Sequence, residues 1–410
     1  MKKHLLPVLL IVAVMSSCSK NDISGYATSD TSKSSDDITL FIATTTSRGA
    51  DVTTSSLENA SGGVDLHIND ADSISDAYNF TATDSDWSQS STSLKWSDIT
   101  FPAYFYSMHD GDPQSLTMTD STATLSYSVT GNSTDHKDMV YHASVLSSIP
   151  SSGSINAYHT HALSKMNIYA GTGTNKVYIA KATVMNVDGE SIATISSSGI
   201  VWSDETYNDA DYQYYYVGDD TQEALQSSVV DGVTVNPIIN SGDSVSLMII
   251  PQSLIGATVE ADSDGTTATI SGSYVEVIYY LTDSNDAALV GYSSVSARPD
   301  SSDYIAADQN KALYVKAAFP LTVELANNKQ YNLILGLGMT GSTGGLLVDD
   351  FYVDKNGDPV KLTKTCDDTS AEVEIPDLEP GDEILGDGDD EIDIYVNVKD
   401  WDDAEGVSLY

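Results

Sequence analysis

Apolar and polar residues alternate along most of this chain. Ile38-Thr-Leu-Phe-Ile42, Ala123-Thr-Leu-Ser-Tyr-Ser-Val129, Val177-Tyr-Ile-Ala-Lys-Ala-Thr-Val184, Leu313-Tyr-Val-Lys-Ala317 and Ile392-Asp-Ile-Tyr-Val-Asn-Val398 show the pattern well. A period of two places one face of a strand on a core and the other in water. Ser273-Tyr-Val-Glu-Val-Ile-Tyr-Tyr-Leu281 is longer and predicts a central strand. Turn signals separate these runs at Asp110-Gly, Val187-Asp-Gly, Asp264-Gly and Asp354-Lys-Asn-Gly-Asp358. Helical periodicity is scarce. Many short strands at this spacing predict an all-β chain built as β-sandwiches, and their number predicts two in tandem.

The first residues depart from this pattern. Met1-Lys-Lys-His4 is a basic head, Leu5 to Val14 is apolar, and Met15-Ser-Ser-Cys18 follows. That order is the order of a secretory signal peptide. A helix needs roughly 20 apolar residues to cross a bilayer, which this run does not supply. Ser16 and Ser17 give a peptidase access to the backbone, and Cys18 offers a thiol for acylation. The segment therefore reads as a lipoprotein signal with Cys18 as the lipidation site. An ordinary secretory signal with an incidental cysteine is the alternative. Residues 19–37, SKNDISGYATSDTSKSSDD, hold almost no core-forming side chains and read as a flexible tether. The expected organisation is a signal peptide over 1–17, a tether over 18–37, an N-terminal sandwich over 38–173 and a C-terminal sandwich over 174–410. The Gly-Thr-Gly-Thr-Asn stretch between Ala170 and Lys176 is the expected hinge.

Charge narrows the partners. The chain has 410 residues and a net charge of −42, from 60 acidic against 18 basic residues. Such a surface repels nucleic acid, and no Lys/Arg patch offsets it. The 40% of hydrophobic residues still allows large cores. There are 2 cysteines. With Cys18 acylated, Cys366 has no partner within the chain, so packing and sheet hydrogen bonds must hold the fold.

No catalytic signature is present. There is no GxSxG elbow, HExxH, phosphate loop or CxxC. The chain reads as a non-enzyme that needs no cofactor and no metal. His159 and His161, two apart in a strand, share a face and could share a metal, but no third ligand is evident. His109 and His136 read as loop residues without a pattern. Asp354 to Asp358 and Gly386 to Glu391 gather oxygen ligands around glycine turns. Neither fits an EF-hand, and both also read as hairpin turns of an acidic protein. Tyr212, Tyr214, Tyr215 and Tyr216 could stack on sugars or pack across strands. Asp-Ser pairs followed by Ile, Thr and Val, at Ser73, Ser121 and Ser244, resemble a bacterial O-glycosylation signal.

A set of ordered segments carries a resemblance. These are Ile38 to Ile42 with Thr46-Ser-Arg-Gly-Ala50, Trp96-Ser-Asp-Ile-Thr-Phe-Pro-Ala-Tyr-Phe-Tyr106 and Asp138-Met-Val-Tyr-His142. His161-Ala-Leu-Ser-Lys-Met166, Ile249-Ile-Pro-Gln252, Phe319-Pro-Leu321, Lys329-Gln-Tyr331 and Val396-Asn-Val-Lys-Asp-Trp401 follow. In this order, and after the lipoprotein leader, the chain resembles the fimbrillin family, the lipoprotein-derived pilins of Bacteroidetes. The resemblance implies two transthyretin-like β-sandwiches. It makes His161 a packing or hydrogen-bonding residue.

It also implies a history for the chain. Such pilins reach the outer membrane as lipoprotein precursors, and an arginine-specific protease removes lipid, tether and first strand. A strand from the next subunit then fills the groove by β-augmentation, and repetition builds a fimbrium on the cell surface that contributes to adhesion. The arginines suit this history. Only Arg48 and Arg298 are present; Arg298 precedes Pro299, whereas Arg48 precedes Gly49 and follows the strand at Ile38 to Ile42. Arg48 and Gly49 are therefore the expected maturation site. Ile392, Ile394, Val396 and Val398 form either the donor strand or the last strand of this subunit's own core. The expected partners are other pilin subunits, the outer membrane through the precursor's lipid, and a host or bacterial surface ligand. The alternative is a permanently anchored surface lipoprotein or tip adhesin that binds a glycan or host protein.

Overall fold

The computed structural model of the protein describes residues 38–44, 57–70, 75–83, 86–89, 94–129, 135–171, 175–203, 214–217, 228–230, 233–239, 246–261, 268–286, 288–291, 304–306, 313–337, 344–360, 362–364, 382–384 and 394–400. Nearly every regular element among them is a strand, so the all-β class expected from periodicity is the one found.

The N-terminal strands are β1 (Thr39–Thr44), β2 (Val64–Asn69), β3 (Ser75–Thr83), β4 (Asp86–Gln89), β5 (Ala103–His109), β6 (Thr117–Met118), β7 (Ala123–Ser128), β8 (Val140–Leu146) and β9 (Ser154–His161). Seven of them form a closed ring in the order β1-β4-β3-β2-β5-β8-β9. Neighbours are antiparallel except at the closure. There β1 runs parallel to β9, from Thr39↔Ser154 to Thr44↔His159. On its other side β1 meets β4 at Leu40↔Trp87. Alternation explains the interior. Leu40, Ile42, Leu66, Phe80, Trp87 and Phe105 pack in one core, and each such side chain stabilises by about 1.5–3 kcal/mol. Trp96, in a 3-10 turn at Trp96–Asp98, joins the same core and donates its ring N–H to the Gly153 carbonyl at 3.1 Å.

Strand β5 is buried on both faces. Phe105 points into the ring, while Tyr106 and Met108 pack in a second and larger core. That core lies between the strands that follow. They are β10 (Ser164–Gly171), β11 (Lys176–Met185), β12 (Glu190–Ser196), β13 (Gly199–Ser203), β14 (Tyr214–Val217), β15 (Ser228–Val230), β16 (Val233–Ile239), β17 (Leu247–Ile249), β18 (Ser253–Leu254) and β19 (Thr258–Ala261). The series continues with β20 (Ala268–Ser271), β21 (Tyr274–Thr282), β22 (Ala288–Val290), β23 (Tyr304–Ala306), β24 (Tyr314–Pro320), β25 (Val323–Glu324), β26 (Lys329–Gly336), β27 (Leu346–Val353), β28 (Leu362–Lys364) and β29 (Ile394–Asp400).

Two sheets dominate this part. One runs β15-β16-β10-β26-β29 and the other β14-β11-β21-β24-β27. Met166 and Ile168 from β10, with Leu333 and Leu335 from β26, face Val277, Tyr279 and Phe319 in the shared core. The predicted central strand is β21, flanked by β11 and β24. A smaller sheet, β13-β12-β7-β6, packs Ala123, Ala193 and Ile195 against the same core.

Many of the segments that carried the resemblance stitch these pieces together. Gln252 bridges to Asp188 through both ends of its amide, at 2.9 Å each. The Tyr331 hydroxyl accepts from the Ala326 N–H at 2.8 Å and donates to the Glu324 carbonyl at 2.9 Å. The Ser164 hydroxyl donates to the Ala326 carbonyl at 2.8 Å. Gly345 sits at φ +97°, and a Cβ there would fall 2.8 Å from the Phe319 ring, so only glycine lets the chain pass this close.

Candidate functional site

Two features of the ring could serve a function, and both involve β9. The first is the seat of β1. Ile38, Leu40 and Ile42 are buried, while Phe41 lies outside and meets Tyr158 edge-on at 6.1 Å. The strand therefore fills a slot between β9 and β4 with three alternate apolar side chains. Taking it away would uncover that slot and the backbone groups along β9.

The second feature is a polar layer inside the ring. β5 and β8 pair at Ser107↔His142 and His109↔Val140, and β8 and β9 pair at Val140↔His161. Alternation then sends Ser107, His109, His142, His159 and His161 to the same interior. All five are buried. The His142 and His159 rings lie 5.9 Å apart. His159 Nε2 meets the Ser107 hydroxyl at 3.1 Å and its Nδ1 meets the Ala157 carbonyl at 3.2 Å. His142 bonds the Tyr158 carbonyl at 3.1 Å and the Ser144 hydroxyl at 3.0 Å. His161 Nδ1 lies 2.9 and 3.1 Å from the two Asp138 oxygens.

Burial lowers the pKa of His109 and His142 in this layer, and of His67 on the outer face of β2. His159 is pushed down to about 3 by desolvation first and by the nearness of His142 second. The Ser107–His159 contact has the composition of a nucleophile and its base. Both residues are 0% exposed, so no substrate can reach the hydroxyl, and a backbone carbonyl rather than a carboxylate orients the ring.

The other sequence candidates separate clearly. His159 and His161 do share a face, as their spacing predicts, but each is tied to a different protein partner. Among the described residues, no group of three or more His, Cys, Asp or Glu is placed to hold a metal. His109 is not a loop residue: it closes β5. His136 lies outside the strands, as expected, and is buried. The role of both was hidden from the sequence because their partners are backbone groups, which leave no trace in a motif. Asp354 is occupied with its own turn, accepting from the N–H groups of Asn356 at 2.8 Å and Asp358 at 3.1 Å. Tyr214, Tyr215 and Tyr216 form β14 on the edge of β11. Ser121 is exposed in the turn before β7. Cys18, Arg48, Gly49, Ser73, Tyr212, Ser244, Cys366, the 386–391 turn and Ile392 lie outside the described residues, as do the side chains of Ile394, Val396 and Val398. The backbone of β29 pairs antiparallel with β26, from Leu335↔Ile394 to Lys329↔Asp400.

The chain matches no protein-family model and no curated protein. Among solved structures it is similar to a proposed cell adhesion protein of Bacteroides eggerthii, with 11% identity and a TM-score of 0.37, covering 89% of this chain and 95% of that one. It is also similar to one from Parabacteroides distasonis, at 7% identity and a TM-score of 0.37, covering 89% and 99%. A third, from Bacteroides ovatus, gives 12% identity and a TM-score of 0.31, covering 82% and 97%. Likeness at this level leaves the function of this chain to its own residues.

Proposed function

We propose that this chain is a fimbrial subunit or pilus-accessory subunit, exported as a lipoprotein through Cys18 and assembled by strand exchange after cleavage between Arg48 and Gly49. The observation that carries the reading is the seat of β1. This strand is the first described element, it ends at Thr44, and Arg48 follows it closely in sequence. A cut there would leave β1 held only by its pairing with β9 and β4 and by Ile38, Leu40 and Ile42. A strand of the same alternation from another subunit could replace every one of those interactions. A head-to-tail contact of this kind, which does not close, propagates into a filament. Contribution to adhesion at the cell surface follows from that placement.

The second reading, a subunit that keeps its lipid and binds a ligand at the pilus base, tip or surface, draws support from β29. Its full-length pairing with β26 favours Ile394, Val396 and Val398 as the last strand of this subunit rather than as a strand given away. Treatment of the purified precursor with an arginine-specific protease tests the first reading. The expected product starts at Gly49 and keeps the fragment that ends at Arg48 bound until denaturant is added. A product that retains its original N-terminus would sink the proposal.

A further inference from the structure

The assembly reading makes no use of the histidines, and their placement is one-sided. The sequence has 7; the six that are described are His67, His109, His136, His142, His159 and His161, all buried and all at or before the end of β9. Two of these rings accept a backbone N–H. His109 Nδ1 accepts the Gly111 backbone N–H at 3.0 Å while Nε2–H donates to the Gly63 carbonyl at 3.1 Å. His136 Nδ1 accepts the Met248 backbone N–H at 3.0 Å. A second ring proton at either residue would face a backbone N–H directly, and the hydrogen bond would be replaced by a clash of donors. His142 and His159, 5.9 Å apart, cannot both become charged there without repelling each other in a low dielectric.

The surrounding groups offset this only in part: Asp110, Asp112 and Asp65 favour a charged His109, and burial outweighs them. From β5 the layer receives Ser107 and His109, from β8 His142, and from β9 His161 beside His159. Thr44 of β1 stands opposite His159, and β1 carries no titratable side chain. β2 carries Asp65 and His67 on its outer face; the Asp65 carboxylate accepts from the Asn79 amide at 2.7 Å, and His67 bonds the Gln114 carbonyl. Asp138 is paired with His161. Asp110 and Asp112, in the turn after β5, lie 4.0 and 3.8 Å from Lys137.

We propose that the histidine layer is an acid-operated latch: its neutral rings tie β5, β8 and β9 together, and their protonation opens this end of the ring and loosens β1 at Thr44. The latch is a property of the folded ring and holds whether or not the subunit polymerises. The lowered pKa values described above support it in sign. An unfolded histidine titrates near 6.5, whereas these folded ones titrate lower. The folded state thus binds fewer protons, so the stability these groups confer is complete above about pH 6.5 and is lost as pH falls toward the folded value, about 3 for His159. Carboxylates titrate near pH 4, so the range from about pH 7 to about pH 5 isolates the histidines in spite of 60 acidic residues.

Hydrogen exchange of the unprocessed full-length protein across that range, corrected for the intrinsic pH dependence of exchange, tests the latch. The opening equilibrium of amides in β1, β8 and β9 should rise at least about tenfold per pH unit below about pH 6, one factor of ten for each histidine exposed. Amides in β21 and β24 should hold their protection. Unchanged protection in β8 and β9, or equal loss in β21 and β24, would overturn the proposal. The His159→Gln variant keeps a polar group near the Ser107 hydroxyl and cannot charge. Its pH slope should be shallower by about tenfold per unit, and a slope equal to the parent's would also overturn it. Should this variant fail to fold, the exchange profile of the unaltered protein decides alone. Failure of cleavage at Arg48 would sink the assembly reading and leave this measurement untouched.

Discussion

The seven-stranded ring closed by β1 and β9 and the paired sheets that follow are built by the same alternation yet are held differently. The sheets enclose a largely apolar core in which Met166, Leu333, Tyr279 and Phe319 pack together. Their central strands β10 and β21 each have hydrogen-bonded neighbours on both sides. The ring is hydrophobic at one end and polar at the other, and it is closed by a strand that runs parallel to β9 and touches β4 at one residue pair. Among the described histidines the sheet core meets one, His136 on the Met248 N–H, whereas the ring encloses His109, His142, His159 and His161. The contrast suggests that stability and responsiveness are assigned to different parts of one chain: the sheets keep the subunit folded, and the ring is the part that can be opened.

The most severe way to break this contrast is to cavitate the sheet core. Phe319 is fully buried between the sheets, so Phe319→Ala should cost about 3–5 kcal/mol through lost burial and the cavity left behind. Chemical denaturation should show a lowered midpoint for the whole chain. If the ring keeps its full exchange protection while the sheets lose theirs, the two regions are less dependent on each other than the shared burial of Tyr106 and Met108 in the sheet core implies.

A smaller effect should come from the ring's seam. Leu40 is buried but sits on the closing strand, whose edge can relax around a shortened side chain. Leu40→Ala should cost about 2 kcal/mol and should act locally. Exchange protection should fall in β1 and β9, and β21 and β24 should be unchanged. Loss of protection throughout the molecule would show that the seam supports more than the ring.

Much of this was legible in the sequence where one face of a strand is wet. Ile38 to Ile42, Val177 to Val184 and Ser273 to Leu281 form strands as their alternation predicts. Alternation fails in β5 and β10, where Phe105 and Tyr106, or Lys165 and Met166, are buried on opposite faces. It also cannot choose partners. The parallel closure of β1 on β9 depends on which edges remain open once the antiparallel pairs have formed, and that is a property of the whole ring. The histidine layer was half visible. The spacing of His159 and His161 placed them on one face, but His109 and His136 take backbone partners that no side-chain motif records. Metal binding was the natural idea for paired histidines, and the structure instead gives each ring a hydrogen bond to the protein.

The smallest expected effect tests whether the sheet core is dry. Tyr279 carries one of the polar groups there: its hydroxyl donates to the Gly344 carbonyl at 2.7 Å, and burial raises its pKa so that it stays protonated. Gly344 has no side chain to keep the hydroxyl away, and Ile384 packs against the same spot. Tyr279→Phe removes the donor and leaves the carbonyl buried. If no water enters, that carbonyl loses its partner and the variant should be weaker by about 1–2 kcal/mol. If the site is roomy enough to admit water, the loss should shrink toward zero. A denaturation midpoint indistinguishable from the parent's would therefore place water inside the paired sheets, and the difference between the two regions would then rest on the histidines alone.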